Sequence, residues 1–290
     1  MSEANRKVPG LPTAVSPSHP EPVLPFLKWA GGKQRLVKQY QPYFPPLETI
    51  NHYYEPFIGS AAVFFHWQPA PATLSDRNEK LIEVYRMVQT DVTAVITALQ
   101  PHRNEAAYFY EIRAQDPQTL TPVERAARLI YLNKTCYNGL YRENSRGEFN
   151  VPFGRYKHPK ICDVERLCAA AAALQGVQLR EDDFAAVVET AVSGDFIYFD
   201  PPYAPLTATS NFTSYHQHGF DAADQRRLAQ TVAALTERGC KVMLSNSSAP
   251  LIYELYNQPT YRLIEIQARR NINSKGNGRG PVKELLILNY

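Results

Sequence analysis

The most compact set of chemically competent residues is Asp200-Pro201-Pro202-Tyr203, which directly follows the apolar run 196–199. Two prolines lock the backbone past a strand end and present carbonyl acceptors without amide donors. The Asp200 carboxylate adds a further acceptor, so the segment can hold an exocyclic amine by both of its hydrogens. The Tyr203 ring offers a flat face on which a base can stack. The alternative interpretation is an ordinary proline turn followed by a tyrosine.

A second candidate is the segment 55–61, where Gly59 lies between a predicted strand and a predicted apolar helix. A strand, a tight glycine turn and a helix together form a nucleotide pocket. A nucleoside ligand without phosphate does not need a full Gly-x-Gly-x-x-Gly cradle, and the segment has none. Asp76 ends the next predicted strand, near the ~20-residue distance at which an acidic side chain binds ribose hydroxyls. Asp76 can alternatively be a helix cap.

A third candidate, 28–33, contains two consecutive glycines followed by Lys33 and invites comparison with a phosphate-binding loop. The spacing excludes that loop, because the first glycine of the motif is missing and Gln34 replaces the serine or threonine that binds magnesium. Trp29 and Lys33 are therefore interpreted as contacts for a negatively charged end of the same ligand.

The composition is that of a globular protein, with 44% hydrophobic residues and a formal net charge of +3. A small net charge does not exclude a nucleic-acid enzyme, which needs only a basic face. The four cysteines form no Cys-x-x-Cys pair and the seven histidines form no ligand pattern, so we expect reduced thiols and no metal. No run approaches the ~20 apolar residues of a membrane span. We therefore expect a cytoplasmic protein without a membrane partner.

Predicted strands and helices alternate along most of the chain, with helices at 78–100, 105–135 and 221–239. This alternation indicates an α/β fold with a mostly parallel sheet covered by helices. The stretch 136–160 differs, because it mixes aromatic and basic residues with asparagine and glycine and has no clear period. It is too long for an idle connection, although a solvated basic loop is the alternative.

Two further loops are weaker candidates. Asn211, Phe212 and Tyr215 follow the Asp-Pro-Pro-Tyr segment and either close over a bound base or simply pack within their loop. Basic residues surround the glycine-rich stretch near 275 and either contact phosphates or belong to a solvated hairpin; they are Arg269, Arg270, Lys275 and Arg279.

Taken together, these motifs resemble the Dam family of DNA adenine-N6 methyltransferases (GATC-type, D12 class) over most of residues 26–290. The resemblance implies a Rossmann-like, S-adenosyl-L-methionine-dependent methyltransferase sheet with helices on both faces, plus an inserted, mainly helical target-recognition domain. With it we expect a flexible Pro-rich tail at 1–25, a catalytic domain at 26–78 and 163–290, and the insert at 79–162.

Residue by residue, the resemblance implies a catalytic motif at Asp200, Pro201, Pro202 and Tyr203. It implies contacts to the cofactor, S-adenosyl-L-methionine, from Trp29, Lys33, Phe57, Gly59, Asp76 and Asp200. It implies base-reading positions at Lys28, Leu140, Arg142 and Pro152. It also implies residues beside the gap left by a flipped base at Tyr137 and Asn138, and a nearby backbone or base contact from Tyr156. The implied partner is double-stranded DNA, which would associate the protein with the nucleoid, and no obligate protein partner is apparent.

The implied reaction is direct transfer of a methyl group to N6 of a flipped adenine, with GATC as the usual target site. The chain departs from the family at Ala61, where a second glycine is frequent. The added methyl group either narrows the cofactor pocket or is tolerated by the turn, which requires a negative φ at Ala61. Methylation of an RNA adenine or a protein glutamine is one alternative function. A DNA-binding module with an inactive methyltransferase fold is another. Solitary enzymes and members of restriction–modification pairs both remain open.

Replacement of Asp200 by alanine removes the first acceptor of the motif. We therefore expect Asp200→Ala to abolish methyl transfer while some DNA binding is retained, because the proposed DNA contacts lie elsewhere in the chain. Transfer of a labelled methyl group and a gel-shift assay on the same duplex measure the two properties separately. Methyl transfer at the wild-type rate would contradict the catalytic role of Asp200.

Overall fold

The computed structural model describes residues 21–206, 220–269 and 281–290. Its centre is a seven-stranded sheet with the strand order β3-β2-β1-β4-β5-β7-β6. The strands are β1 (Tyr53–Glu55), β2 (Ala72–Asp76), β3 (Gln178–Glu181), β4 (Phe196–Phe199), β5 (Lys241–Ser247), β6 (Arg262–Arg269) and β7 (Pro281–Leu288). The first five pair in parallel, and β7 pairs antiparallel with both β5 and β6. The predicted α/β fold with a mostly parallel sheet is therefore confirmed.

Ten α-helices lie in the described ranges. They are α1 (Val37–Tyr40), α2 (Ala62–Trp67), α3 (Glu79–Thr90), α4 (Val92–Leu99), α5 (Ala106–Ala114), α6 (Pro122–Thr135), α7 (Val164–Ala173), α8 (Val187–Thr190), α9 (Ala222–Glu237) and α10 (Pro250–Tyr256). None of them is long and apolar enough to cross a membrane.

Local sequence signals explain several helix ends. The predicted helix 78–100 is two helices, because Asp91 ends α3 and caps α4 by accepting from the Ala94 amide. The α9 helix begins at a capping box in which Asp221 and Asp224 exchange hydrogen bonds with each other's backbone amides. It ends before Gly239, which has a φ of +83°, as expected of a glycine that closes a helix.

The sheet is buried on both faces, and alternate side chains of each central strand enter different cores. On β4, Phe196 and Tyr198 belong to the larger hydrophobic cluster, which also contains residues of α2, α3 and α6. Ile197 and Phe199 belong to the second cluster, which includes residues of α9 and α10. A strand covered on both sides accounts for the continuous apolar run before Asp200.

The part of the chain between β2 and β3 is mainly helical up to Thr135. The α3 helix packs against β2 and β3 and also against α6 and α7. A bidentate ion pair from Arg125 on α6 to Glu83 on α3 joins the two helices, with Nε–Oε2 and Nε–Oε1 distances of 2.8 and 3.1 Å. The helices of this region are thus fixed to the edge of the sheet through α3.

The stretch 136–160 folds back on itself. Isolated antiparallel bridges join Cys136 to Phe153 and Glu143 to Phe149. Gly154 donates its amide to the Thr135 carbonyl at 2.8 Å, and a Cβ at this glycine would lie 2.5 Å from the Cys136 carbonyl oxygen. This stretch therefore leaves the end of α6 and returns to it, which presents residues 137–152 as one projecting loop.

Candidate active site

Polar side chains gather where adjacent parallel strands end. Glu55 ends β1, Asp76 ends β2 and Asp200 directly follows β4. The register pairs Phe199 with Leu244, so Asp200 stands beside Ser245 of β5. The carboxyl edge of a parallel sheet is where open α/β folds bind ligands, and this edge is the candidate active site.

The Asp200 carboxylate is held by two side chains from different parts of the fold. Lys33 Nζ lies 2.6 Å from Oδ1 and 2.8 Å from Oδ2, and Ser245 Oγ donates to Oδ1 at 2.9 Å. Lys33 also donates to the Gly31 carbonyl at 2.6 Å. The Lys33 ammonium therefore bonds to acceptors of the protein itself and anchors Asp200. Its predicted contact with a ligand stays a prediction.

The backbone after Asp200 is fixed by a chain of buried amides and hydroxyls. Gln225 Nε2 donates to the Pro202 carbonyl at 2.9 Å, and Asn246 Oδ1 accepts from the Ala204 amide at 3.0 Å. Ser247 Oγ donates to the Ala204 carbonyl at 2.6 Å. The backbone at Pro202 and Ala204 is thus held from α9 and β5. Fixed polar groups of this kind are what a preorganised site requires.

Tyr203 is fixed by its hydroxyl and covered on its ring. The hydroxyl donates to Glu284 Oε2 at 2.7 Å, and Lys33 Nζ lies 4.7 Å from the ring centroid. Burial, with nearby Tyr40 and the carboxylates of Asp200 and Glu284, raises the pKa of Tyr203 well above its ordinary value. The phenol therefore remains a proton donor to Glu284 across the neutral range.

The glycine turn, Asp76 and Trp29 lie close together at the ends of β1 and β2. The Gly59 amide donates to Asp76 Oδ2 at 3.4 Å, and Gly59 has a φ of +44°. A Cβ at Gly59 would lie 2.9 Å from Trp29 Cδ1. Only glycine combines that backbone conformation with this close approach.

Two interpretations of this turn need correction. The condition under which alanine would be tolerated at position 61 is not met, since Ala61 has a φ of +51° and immediately precedes α2. Alanine there carries a left-handed conformation that costs about 1–2 kcal/mol, and its methyl group is fully buried. The capping alternative for Asp76 is also wrong, because Asn78 caps α3 by accepting from the Leu81 amide at 3.1 Å.

Phe57 forms an aromatic wall beside the turn. Its ring stacks on Phe184 with centroids 5.4 Å apart and meets the edge of Phe220 at 5.7 Å. Arg227 covers Phe184 at 4.1 Å and forms a bidentate pair with Asp183 at 2.6 and 3.0 Å. Neither Phe184 nor the Arg227–Asp183 ion pair beside it was predicted from the sequence.

A cavity of about 280 Å³ opens next to Asp76. Its lining comes from both the sheet edge and the projecting loop, and consists of Arg77, Asn78, Glu79, Lys80, Tyr141, Glu143 and Glu181. Within the described ranges, no group of three or more histidine, cysteine, aspartate or glutamate side chains is arranged to hold a metal ion. The lining is mostly charged, with Tyr141 as its aromatic side chain.

The loop positions predicted to flank a flipped base are accessible. Tyr137 is 53% exposed, and Asn138 has a φ of +56°. The Tyr137 amide donates to the carbonyl of exposed Pro152 at 2.8 Å. The backbone around Tyr137 is thus anchored while its ring points into open space.

Lys28 and Tyr156 meet beneath this loop. Lys28 Nζ lies 4.2 Å from the Tyr156 ring centroid, and burial lowers the pKa of Lys28. Asn133 lies near the end of α6 and forms two hydrogen bonds with the Lys28 backbone. Its Oδ1 accepts from the Lys28 amide at 2.8 Å, and its Nδ2 donates to the Lys28 carbonyl at 2.6 Å. A Cβ at Gly139 would lie 2.5 Å from Lys28 Cβ, so the loop and the 28–33 segment touch closely.

Two further base-reading candidates, Leu140 and Arg142, lie in the first half of the projecting loop. Arg142 is exposed and donates from Nε to Asn150 Oδ1 at 2.6 Å. Leu140 is half-buried against the larger core. Between them, Tyr141 stacks on Trp29 with centroids 5.4 Å apart. The structure therefore places Tyr141, which lies between two base-reading candidates, against the predicted cofactor residue Trp29.

Several predicted positions lie outside the described residues, namely Asn211, Phe212, Tyr215, Arg270, Lys275 and Arg279, as does most of the predicted tail. Residues 21–25 are described, and the Val23 amide donates to the Phe65 carbonyl of α2 at 2.9 Å.

Sequence reasoning missed residues whose role depends on strand register. Ser245 and Glu284 are the clearest, since each contacts the Asp-Pro-Pro-Tyr motif from another strand. Their only sequence signal is a polar side chain within an apolar strand, which marks an inward-facing polar group but not its partner.

Glu55 is a further buried carboxyl at the same edge. Tyr53 hydroxyl and the Phe64 amide donate to its Oε2 at 2.8 and 3.2 Å. Burial raises the pKa of Glu55 to about 8. The Glu55 carboxyl therefore joins the end of β1 to α2, the helix that follows the glycine turn.

Comparison with known proteins gives consistent matches. A family model described as D12 class N6 adenine-specific DNA methyltransferase matches residues 29–272. The chain is 42% identical to the type II methyltransferase M1.LlaDCHI of Lactococcus lactis subsp. cremoris, over 92% of this chain and 95% of that protein. It is 41% identical to the type II methyltransferase M.MjaIII of Methanocaldococcus jannaschii, over 92% and 99%. It is 38% identical to the DNA adenine methylase of Escherichia coli K12, over 91% and 94%.

The raised pKa of Glu55 predicts a pH-dependent stability. The unfolded chain ionises Glu55 above its ordinary pKa of 4.5, whereas the folded protein keeps the proton until about pH 8. The free energy of unfolding contributed by Glu55 therefore falls as pH rises between these values, by at most about 1.4 kcal/mol per pH unit. Urea unfolding at pH 5, 6.5 and 8 should show Glu55→Gln gaining stability relative to wild type. Parallel stability profiles would contradict the assignment.

Proposed function

Because the chain belongs to the D12 class of N6 adenine-specific DNA methyltransferases, we propose that it flips adenine out of GATC sites in duplex DNA and methylates N6 from S-adenosyl-L-methionine. Methyl transfer to DNA adenine follows from the family and its relatives. The observation that carries the finer proposal is the ion-paired Asp200 beside Pro201, Pro202 and Tyr203 at a strand end.

The cofactor pocket is proposed to run from Trp29 past Gly59 to Asp76. The residues fit S-adenosyl-L-methionine, because the Gly59 turn brings the Trp29 ring close to the strand end and Asp76 supplies an acceptor for ribose hydroxyls. Phe57 and Phe184 supply an aromatic wall suited to an adenine ring. When bound, this cofactor supplies a methyl group on a positively charged sulfur. Lys33 and Asp200 would border its amino-acid end.

Asp200 and the Pro201 carbonyl are proposed to accept the two hydrogens of the target N6. The lone pair of that nitrogen is delocalised into the ring, and two fixed acceptors draw the nitrogen toward tetrahedral geometry. Asp200 Oδ2 accepts a hydrogen bond from the Lys33 ammonium. It can accept a second one, because a carboxylate oxygen has two lone pairs. The Pro202 carbonyl already receives Gln225. Catalysis then rests on positioning and preorganised polar groups, without a covalent intermediate.

Tyr203 is proposed to stack on the flipped adenine with the ring face opposite the Lys33 ammonium. Taking a base out of duplex DNA costs a few kcal/mol. The exposed ring of Tyr137 is proposed to fill the vacated position, with Asn138 beside it. The supporting observations are the 53% exposure of Tyr137 and the anchoring of its backbone to Pro152.

Base reading is proposed for Lys28, Leu140, Arg142 and Pro152, with Tyr156 as a neighbouring contact. Residues 79–162 would then form the target-recognition insert between the catalytic parts 26–78 and 163–290. Support comes from the helical content of that region and from the clustering of these candidates on the projecting loop. The ion pair of Lys80 with Glu143 at 2.6 Å would hold the loop against the start of α3.

The test is methyl transfer from labelled S-adenosyl-L-methionine to two short duplexes that differ only in GATC versus GTTC. We expect incorporation into the GATC duplex alone, with product digestion yielding N6-methyladenine. Incorporation into both duplexes would reject GATC as the recognition site. Incorporation into neither, with the cofactor bound in calorimetry, would move the target to another sequence.

Arg142→Ala should relax base choice more than it weakens non-specific binding, because a bidentate guanine contact contributes roughly 1–3 kcal/mol of discrimination. The measurement is kcat/KM on GATC against each duplex with the guanine replaced. Arg146→Ala is the matched control, since Arg146 is exposed on the same loop and pairs with Glu148 at 2.9 Å. Unchanged discrimination in Arg142→Ala would remove this residue from the recognition set.

A further inference from the structure

Glu284 reaches the active-site edge because β7 runs antiparallel to its neighbours. The register pairs Glu284 with Ser247 of β5 and with Ile266 of β6. The beginning of an antiparallel strand lies beside the carboxyl ends of parallel strands, so an early residue of β7 can face the catalytic motif. Glu284 is half-buried there and is the only β7 carboxylate in the described part of the chain.

One carboxylate oxygen of Glu284 accepts hydrogen bonds from two tyrosine hydroxyls. Tyr203 donates to Oε2 at 2.7 Å and Tyr40 of α1 donates to the same atom at 3.1 Å. Tyr40 is fully buried. Burial, followed by the Glu284 and Asp200 carboxylates, raises the pKa of Tyr40 well above its ordinary value. Both phenols therefore stay protonated and directed at the carboxylate.

We propose that Glu284 is a positioning residue for methyl transfer, acting through the Tyr203 hydroxyl to hold the Tyr203 ring in the orientation that receives the target base. This inference rests on the proposed function of Tyr203. The backbone of Tyr203 is fixed through its neighbours, because Pro202 and Ala204 bond to Gln225, Asn246 and Ser247. Those bonds fix the backbone only. The orientation of the Tyr203 ring then depends on its hydrogen bond to Glu284 and on the Lys33 ammonium, which lies over the ring.

The consequence is a division of roles between two charged groups. Lys33 holds Asp200, which positions the reacting amine, and Glu284 holds Tyr203, which positions the plane of the base. An error of about 1 Å in such placement can reduce a rate about 100-fold. Loss of Glu284 should therefore slow the chemical step while leaving the cofactor affinity nearly unchanged, because the side-chain hydrogen bonds of Glu284 within the described residues go to Tyr203 and Tyr40 and not to the cofactor candidates.

The experiment measures single-turnover methylation of the GATC duplex, with full-length enzyme in excess over DNA and S-adenosyl-L-methionine saturating. Glu284→Ala should lower this rate by about 30-fold, within the range that misplacement produces, with cofactor Kd within about twofold by calorimetry. Glu284→Gln keeps an acceptor oxygen and should stay within about threefold of wild type. In a Tyr203→Phe background, Glu284→Ala should add less than about twofold, since the bond it breaks is already absent.

A matched variant separates positioning from general damage. Glu265→Ala removes a half-exposed carboxylate of β6 that pairs with Lys283 at 2.7 Å, and should be unchanged. A wild-type rate in Glu284→Ala would overturn the proposal, as would an equal loss in the wild-type and Tyr203→Phe backgrounds. Absence of methylation by the wild-type enzyme would instead reject the proposed function.

Discussion

The active-site edge depends on one buried ion pair, between Lys33 and Asp200. Their side chains are 4% and 18% exposed, with Nζ 2.6 Å from Oδ1. A buried charge is costly unless it is paired and its remaining hydrogen-bonding groups are satisfied. Gly31 and Ser245 provide those additional bonds. The pair joins the segment before α1 to the end of β4, so the 28–33 segment and the catalytic motif are held together.

The sheet explains why residues far apart in the chain share this edge. Parallel β1, β2, β4 and β5 deliver Glu55, Asp76, Asp200 and Ser245 from their carboxyl ends. The antiparallel β7 adds Glu284 from its beginning. A mixed sheet therefore surrounds the Asp-Pro-Pro-Tyr motif with polar groups from both strand directions, which an all-parallel sheet of the same length would not provide.

The 28–33 segment links the glycine turn to the projecting loop. Trp29 packs close to Gly59 and stacks on Tyr141 of the projecting loop. Its neighbour Lys28 bonds through its backbone to Asn133 and lies over Tyr156. A displacement of the loop would therefore displace the Trp29 ring beside the glycine turn. This contact is direct packing between two sites, as coupling between them requires.

Sequence alone determined the strand–helix alternation, the position of Asp200-Pro201-Pro202-Tyr203 after a strand, and the positions of Gly59 and Asp76 at successive strand ends. These features are local, because periodicity, proline and glycine act over a few residues. The tertiary structure alone decided which side chains meet: Lys33 and Ser245 on Asp200, Glu284 on Tyr203, and Tyr141 on Trp29. Strand register and the sign of φ at Ala61 follow from packing across the sheet, which no local pattern records.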